Sequence, residues 1–158
     1  MELVVLAVGK LRPSLRDVAD DYLRRLGRHH TIREIEVREA SRTPTIEAQR
    51  RQEGDRLRPR IPAGARLVAL ARQGAGWTSE ELAHRLGIWM HEARPVALAL
   101  GGSHGLDPPL VASASDRWSL GPLTLPHELA RVVLAEQLYR ASTILRGEPY
   151  HKGTGRSE

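Results

Sequence analysis

Apolar residues gather in short runs that are typical of buried strands. Three runs are almost wholly apolar, over residues 2–8, 66–71 and 96–100. Continuous apolar runs of this length indicate strands that are covered on both faces, as in parallel sheets. A weaker strand is predicted over residues 32–37, where Ile35 and Val37 alternate with polar neighbours but Ile32 does not fit the alternation.

The segments between these runs have the spacing and end signals of helices. One helix is predicted from Pro13 to the residue before Gly27, and a charged one from residue 45 to about residue 58. Thr78 and Glu81 form a capping box that opens a third helix, and residues 127–146 form a fourth, with apolar residues on most of its surface. Strands that alternate with helices predict an α/β domain with a mostly parallel sheet. The 158 residues are predicted to form one domain, with 153–158 as a disordered tail.

Composition excludes several kinds of site. The chain has no cysteine, which excludes a CxxC zinc site, a thiol nucleophile and a disulfide scaffold. The sequence has no HExxH motif or other ligand cluster, so no metal is expected. No apolar run approaches the roughly 18 residues of a membrane span, and the first residues lack the basic region of a signal peptide. We therefore expect a soluble cytoplasmic protein that contacts no membrane.

The basic charge lies mostly in the first part of the chain. The formal net charge is +5, from 24 basic and 19 acidic residues. Residues 1–60 contribute 14 basic and 10 acidic side chains, a net +4. Arginine, which supplies most of the basic groups, suits phosphate better than lysine does, so an anionic partner such as RNA is one interpretation. The other is that Arg50, Arg51, Arg56, Arg58 and Arg60 form a solvated helix face.

A glycine-rich turn, GGSHG at 101–105, follows the predicted strand at 96–100. Ligands of α/β proteins collect beyond the carboxyl ends of strands, and glycine allows a ligand or another backbone to approach closely. The turn matches the G-x-S-x-G pattern of a hydrolase nucleophile, with Ser103 at its centre. That elbow needs a helix directly after the serine, whereas Pro108 and Pro109 oppose one. A loop serine is the preferred interpretation, and a small serine hydrolase is the alternative.

Residues 118–126 form an apolar segment that contains Gly121 and two prolines. Such a segment exposes backbone N–H and C=O groups beside apolar side chains, which suits a flat adenine ring. The alternative is an ordinary connection between a strand and a helix.

The predicted helix over 127–146 carries one charged pair within an apolar face. Glu136 and Arg140 are four residues apart, so their side chains can pair. They form either a structural ion pair or a site where Arg140 faces an anionic substrate and Glu136 positions it. The tail that follows places Tyr150, His151 and Lys152 in sequence, which are groups that can stack on a base, move a proton and meet a phosphate. A frayed terminus is the alternative there.

From Trp118 to Lys152 the sequence closely resembles the C-terminal signature of the RlmH family, which are SPOUT-class methyltransferases. The motifs that carry this resemblance are HELAR, EQLYRA and PYHK. Earlier landmarks, including LAVGK, Tyr22 with Arg24 and Arg25, TSEELA and GGSHG, fall in the family's order. The resemblance implies methylation of N3 of a pseudouridine in 23S ribosomal RNA, with S-adenosylmethionine as methyl donor. It also implies a homodimer whose partner chain completes the site, and a deep trefoil knot in the C-terminal part.

The resemblance assigns roles to particular positions. For S-adenosylmethionine the family positions are Leu70, Gly101, Leu120, Gly121, Pro122, Leu123, Thr124 and Leu125. Two of the neighbouring residues depart from the family pattern, because Ala71 replaces the usual Asp and Gly121 replaces the usual second Ser. A non-catalytic RNA-binding relic that has lost its cofactor is therefore a second alternative.

The chemistry of methyl transfer to a ring nitrogen suggests the catalytic roles. N3 of pseudouridine carries a proton, so a base near the target should help. His151 is the predicted base because its ordinary pKa lies near neutrality. Tyr150 would stack on the target base, and Arg140, positioned by Glu136, would stabilise negative charge on the uracil oxygens. Lys152, Arg24 and Arg25 are the predicted RNA contacts.

Overall fold

A computed structural model describes residues 1–150 of the chain. Within that range the strands are β1 (Glu2–Val8), β2 (Thr31–Val37), β3 (Arg66–Gly76), β4 (Val96–Leu100) and β5 (Asp116–Ser119). The helices are α1 (Pro13–Leu26), α2 (Ile46–Leu57), α3 (Ser79–Glu92), α4 (Pro108–Ser113) and α5 (His127–Arg146), and a 3-10 turn covers Arg58–Arg60. The predicted α/β class is confirmed.

All five strands lie parallel in one sheet, in the order β2-β1-β4-β3-β5. Leu3 of β1 lies opposite Ile32 on one side and Val96 on the other. The three apolar runs of the sequence thus become the three central strands, β1, β4 and β3. Their burial on both faces explains why apolar residues are nearly continuous there.

Helices cover both faces of the sheet. Side chains from α1, α3 and α5 pack on one face, around Leu86, Trp89 and Leu134. Those of α2 and α4 pack on the other, around Leu57 and Leu110. Parallel strands need crossover connections of this kind, and each crossover helix buries its apolar stripe against the sheet. The carboxyl ends of all five strands consequently meet at one edge, which we call the carboxyl edge.

Helix α5 has the bounds that the sequence predicts. Its end is fixed by Gly147, which adopts a φ of +69° and whose N–H bonds to the carbonyl of Ile144. The helix packs against both α1 and α3. Leu134 and Leu138 are fully buried, whereas Leu129 is 38 % exposed. Although α5 is long, no helix within residues 1–150 is both long and apolar enough to cross a membrane.

Three features near the carboxyl edge differ from the sequence prediction. Strand β3 continues to Gly76 instead of ending at Ala71, with an irregular register between Leu70 and Ala75. Strand β5 was not predicted, because it has four residues and its neighbours include Gly and Pro. The short helix α4 begins at Pro108, where the fixed φ of proline suits a first helical turn. The two prolines therefore delay the helix and do not prevent it.

Candidate active site

A cleft of about 130 Å³ opens at the carboxyl ends of β3 and β5. Ligand sites in proteins are mostly apolar, with a few polar groups that fix orientation. Most of the wall is apolar side chain, and the loop after β5 adds backbone groups. The lining residues are Leu70, Ala71, Arg72, Trp118, Ser119, Leu120, Gly121, Leu123, Thr124, Leu125 and Ala130.

Six of the eight positions predicted for cofactor binding line this cleft: Leu70, Leu120, Gly121, Leu123, Thr124 and Leu125. Pro122 lies in the same loop without lining the wall. Gly101 lies at the end of β4, where a Cβ would stand 2.2 Å from the carbonyl carbon of Gly105. The close approach at Gly101 is therefore made by the chain's own backbone.

The loop after β5 is held by a turn that the sequence does not predict. The Ser119 hydroxyl donates to the carbonyl of Gly121 at 3.1 Å and accepts from the N–H of Gly121 at 3.2 Å. Gly121 has a φ of +129°, which strongly favours glycine. Beneath the loop, a Cβ on Gly74 would lie 2.5 Å from the carbonyl carbon of Arg117. Two positions of the backbone around the cleft, Gly121 and Gly74, therefore favour glycine.

Five lining residues are absent from the cofactor positions that the resemblance assigns, although two of them belong to the segment 118–126 that suits a flat ring. They are Ala71, Arg72, Trp118, Ser119 and Ala130. Ala71 and Arg72 reach the cleft through the irregular register of β3, which has no hydrophobic pattern to reveal it. Trp118 and Ser119 belong to β5, the strand that the sequence did not predict. Ala130 lies one turn into α5, where a helix placed beside the loop could have indicated it.

A bonded cluster of side chains on α5 and the following turn brings together three of the four predicted catalytic residues. Glu136 accepts hydrogen bonds at one oxygen from Arg140 Nε at 3.0 Å and from the Tyr150 hydroxyl at 2.9 Å. Its other oxygen accepts from Gln137 at 2.6 Å. The Arg140 guanidinium lies 4.9 Å from the centre of the Tyr150 ring, within cation–π range. The pair at Glu136 and Arg140 thus forms as predicted, with Tyr150 as an added partner.

All three tyrosines of the chain meet beside this cluster. The Tyr139 ring lies 4.9 Å from that of Tyr150 and 6.1 Å from that of Tyr22, measured between centroids. Burial, followed by hydrogen bonds with Tyr22 and Glu136, raises the pKa of Tyr150 well above its ordinary value. Tyr150 therefore remains a protonated donor at neutral pH. Neither Tyr22 nor Tyr139 was predicted as a site residue.

The predicted RNA contacts have different outcomes. Arg24 and Arg25 both pair with Asp21, at 2.8 and 3.1 Å. Arg25 also lies 5.7 Å from the centre of the Tyr139 ring, so it borders the tyrosine cluster. His151 and Lys152, predicted as the base and as a phosphate contact, lie outside the described residues.

Ser103 lacks the setting of a hydrolase nucleophile. It is exposed in the tight turn between Gly102 and Gly105, and the next helix begins only at Pro108. No histidine among residues 1–150 makes a hydrogen bond to its hydroxyl. The geometry agrees with a loop serine.

Comparisons with known proteins point to one family. The family described as "Predicted SPOUT methyltransferase" matches residues 1–151. The chain is 42 % identical over 155 residues to ribosomal RNA large subunit methyltransferase H of Chromohalobacter salexigens, and 44 % identical over 153 residues to that of an Anaeromyxobacter species. Each match covers 96 % of this chain and 100 % of the relative.

Solved structures resemble the fold at low sequence identity. A probable methyltransferase from Bordetella pertussis is 17 % identical with a TM-score of 0.52, covering 88 % of this chain and 95 % of that one. A probable methylase family protein from Haemophilus influenzae is 10 % identical with a TM-score of 0.55, covering 94 % of this chain and 69 % of that one. These likenesses concern the fold alone.

Proposed function

The chain belongs to the SPOUT methyltransferase family, and on that premise we propose that it methylates N3 of a pseudouridine in large-subunit ribosomal RNA. The methyl donor is S-adenosylmethionine. One observation carries the proposal: an apolar cleft and the bonded cluster of Glu136, Arg140 and Tyr150 lie along one helix of a chain that matches rRNA methyltransferases over its length. The comparisons support neither the serine hydrolase nor the cofactor-free relic.

The residues of the cleft fit the proposed cofactor. Leucines at 70, 120, 123 and 125 provide apolar walls for a flat ring, and backbone groups of the loop would supply its edge hydrogen bonds. A Cβ at Gly121 would meet nothing within 4 Å, so this part of the loop leaves open space. The two departures from the family pattern, Ala71 and Gly121, both line the cleft and replace polar side chains with smaller ones. They enlarge the cleft without obstructing it.

The protein's part in the chemistry is to prepare the target nitrogen. S-adenosylmethionine supplies an activated methyl group when bound. His151 takes the proton from N3, since an imidazole is half deprotonated near neutral pH. Tyr150 is unsuited to that role because its raised pKa keeps the hydroxyl protonated.

Arg140 stabilises the charge that develops as N3 loses its proton. Its guanidinium is held by Glu136 on one side, at 2.8 Å, and by the Tyr150 ring on the other. Fixing a donor before the reaction avoids the cost of reorienting it as charge appears. Glu136, which also accepts from Gln137, is the anchor of this arrangement. Glu136 is six residues beyond Ala130, or about 9 Å along the helix axis and about 120° around it, so the cluster and the cleft lie on different sides of α5.

A homodimer completes the site in this proposal. Leu123, in the loop over the cleft, is 79 % exposed, and Leu129, at the start of α5, is 38 % exposed. Apolar side chains beside a candidate site are typical of an interface. Sedimentation should give a dimer for the wild-type chain and a monomer for Leu129→Arg. A monomeric wild type would contradict this part of the proposal.

The finer topology that the family implies is a trefoil knot. Its support is that β5 pairs outside β3 while α5 returns to pack against both α1 and α3. The close backbone approach between Gly74 and Arg117 also falls in segments that a knot would bring past one another. A crystal structure with a continuous trace through residues 70–146 tests this topology.

Calorimetric titration of S-adenosylmethionine tests the cleft. Ala130 lines the cleft from α5, so Ala130→Leu should fill part of it and weaken binding at least about tenfold. Ala48→Leu is the matched control, because Ala48 is a half-buried helix residue outside the cleft. The control should bind like the wild type. If both variants bound S-adenosylmethionine equally well, the cofactor site would have to lie outside this cleft.

A further inference from the structure

The cations of the chain fall into two groups according to their partners. Among residues 1–150, thirteen arginines have a carboxylate within 4.0 Å. Five of the other basic residues in this range lie together at the carboxyl ends of β1 and β2 and on the adjoining α2. We call these five the basic edge: Lys10, Arg38, Arg42, Arg50 and Arg56.

The basic edge lines an open, polar groove. Arg38, Arg42 and Arg56 border a cleft of about 450 Å³ together with the short polar side chains of Ser41 and Thr43. Lys10 and Arg38 border a second depression that continues from it. Lys10, Arg38, Arg42 and Arg56 are exposed, so their charges face solvent. The groove is open and mostly polar, which suits a charged ligand.

Buried hydrogen bonds hold the backbone of this surface in place. Glu53, only 2 % exposed, accepts at one oxygen from the N–H of Ala40 at 3.0 Å and from Gln49 at 3.1 Å. Arg56 donates to the carbonyl of Arg38 at 2.7 Å. These bonds tie the 38–43 loop to α2 at two points. Such preorganisation lowers the entropy that binding would otherwise cost.

A further bond joins the basic edge to the turn after β4. Arg50 Nε donates to the carbonyl of His104 at 2.6 Å. The surface is therefore continuous along the carboxyl edge from β2 to β4. From the middle of β1 and β2 to the middle of β3 and β5 is three strand spacings, or about 15 Å. The methyl-transfer cleft lies within that reach on the same edge.

The acidic groups near the groove do not cancel its charge. Glu36 borders the second depression, but it already pairs with Arg16 and Arg131. Glu39 is the remaining carboxylate in the lining, and its nearest basic group is His127 at 3.9 Å. Four cations thus line the two depressions beside one uncommitted carboxylate. The balance favours an extended anion.

We propose that the basic edge binds the phosphate backbone of the ribosomal RNA and so positions the target base over the cleft. This inference rests on the proposed function and adds the surface by which the substrate is held. Guanidinium groups bind phosphate with paired hydrogen bonds, and spaced cations along a groove match successive phosphates. The basic edge can bind phosphate because its cations have no carboxylate partner in the described part of the chain, whereas the ion-paired arginines already have one.

The test is a triple variant, Lys10→Gln/Arg38→Gln/Arg42→Gln. These three side chains make no hydrogen bond or ion pair within the described residues, so the fold should survive their loss. Binding is measured at several salt concentrations to large ribosomal subunits from cells that lack this protein, and to protein-free 23S rRNA. Three lost phosphate contacts should lower the salt slope by about two units and weaken binding roughly 100-fold at about 0.1 M salt.

A second triple variant controls for loss of charge alone. Arg28→Gln/Arg33→Gln/Arg94→Gln removes three exposed cations near the amino ends of β2 and β4. This control should keep the wild-type slope, and both variants should bind S-adenosylmethionine normally by calorimetry. Equal weakening by the two variants would overturn the proposed surface. Loss on subunits but not on free 23S rRNA would overturn it too, by indicating a protein partner.

The same measurements separate this inference from the function on which it rests. If the wild type neither binds nor methylates the subunits, the proposed function fails. If the wild type does both and the two triple variants match it, only the basic edge is wrong.

Discussion

The two sides of α5 carry similar residues in different settings. On the buried side, Arg131 is 3 % exposed and bonds to Glu34, to Glu36 and to the carbonyls of Val8 and Gly9. On the open side, the Arg140 side chain is 19 % exposed and its bonds lead to Glu136. Both arginines pair with carboxylates.

The contrast shows what separates a structural ion pair from a site. Arg131 fastens α5 to the ends of β1 and β2, and solvent scarcely reaches it. Arg140 bonds to Glu136 of its own helix, and its planar group lies against the Tyr150 ring. We therefore expect changes on the buried side to alter folding and changes on the open side to alter methyl transfer.

The largest expected effect is on folding. Arg131→Ala removes one partner from each of two half-buried glutamates and one donor from each of two strand-end carbonyls. Breaking a buried pair from one side costs about 3–5 kcal/mol, and urea unfolding measures it. Arg140→Ala should cost less, about 2 kcal/mol, because Glu136 keeps its bonds to Gln137 and Tyr150. Similar losses from both variants would abolish the distinction between the two sides.

Arg140→Ala should instead lower the rate of methyl transfer by about 100- to 1,000-fold, the usual cost of removing one charge-stabilising donor. Single-turnover rates on large ribosomal subunits, at saturating S-adenosylmethionine, give the comparison. Arg94→Ala, a charge loss at the opposite edge of the sheet, is expected to react like the wild type. A normal rate for Arg140→Ala would assign its pair with Glu136 to structure alone.

The buried side also predicts a pH dependence of stability. His30 bonds to Ser142 of α5 at 3.2 Å and is 9 % exposed. Burial, then the positive charges of the N-terminus and Arg146, lowers the pKa of His30 from 6.5 to about 4. Between pH 6.5 and pH 4, His30 is therefore protonated in the unfolded chain but neutral in the folded chain.

Stability should consequently fall as the pH drops through that window, by on the order of 3 kcal/mol from this group. His30→Gln, whose side chain does not titrate, should flatten this part of the curve of unfolding free energy against pH. An unchanged slope in the variant would show that His30 does not carry the effect.

The smallest effect is expected at Tyr150. Tyr150→Phe keeps the ring against Tyr139 and Arg140 but removes the hydrogen bond to Glu136. One such bond contributes about 1 kcal/mol, so the rate of methyl transfer should fall roughly tenfold or less. Tyr150→Ala also removes the ring, so its rate of methyl transfer should be lower still. If Phe were as damaging as Ala, the hydroxyl and not the ring would be the important group.

Most of the fold follows from the hydrophobic pattern. The central strands are long apolar runs, and the bounds of α1 and α5 coincide with Pro13 and Gly147. Strand β5 and helix α4 could not be predicted because each is short and takes its stability from tertiary contacts. The order of strands in the sheet also depends on packing between distant segments, which a local pattern does not encode.

The candidate site could be predicted only in part. The pair at Glu136 and Arg140 follows from helical spacing, and the loop positions came from the family resemblance. The irregular register of β3, which brings Arg72 to the cleft, has no local signal. Tyr22 and Tyr150 come together although they are more than a hundred positions apart, and spacing along the chain does not predict such contacts.

The central claim is tested most directly by locating the transferred methyl group. Large ribosomal subunits from cells that lack this protein are incubated with the purified chain and S-adenosylmethionine labelled on its methyl group. The rRNA is then digested to nucleosides for mass spectrometry. The account predicts label in N3-methylated pseudouridine. Label in a different nucleoside, or none under conditions where calorimetry shows the cofactor bound, would contradict it.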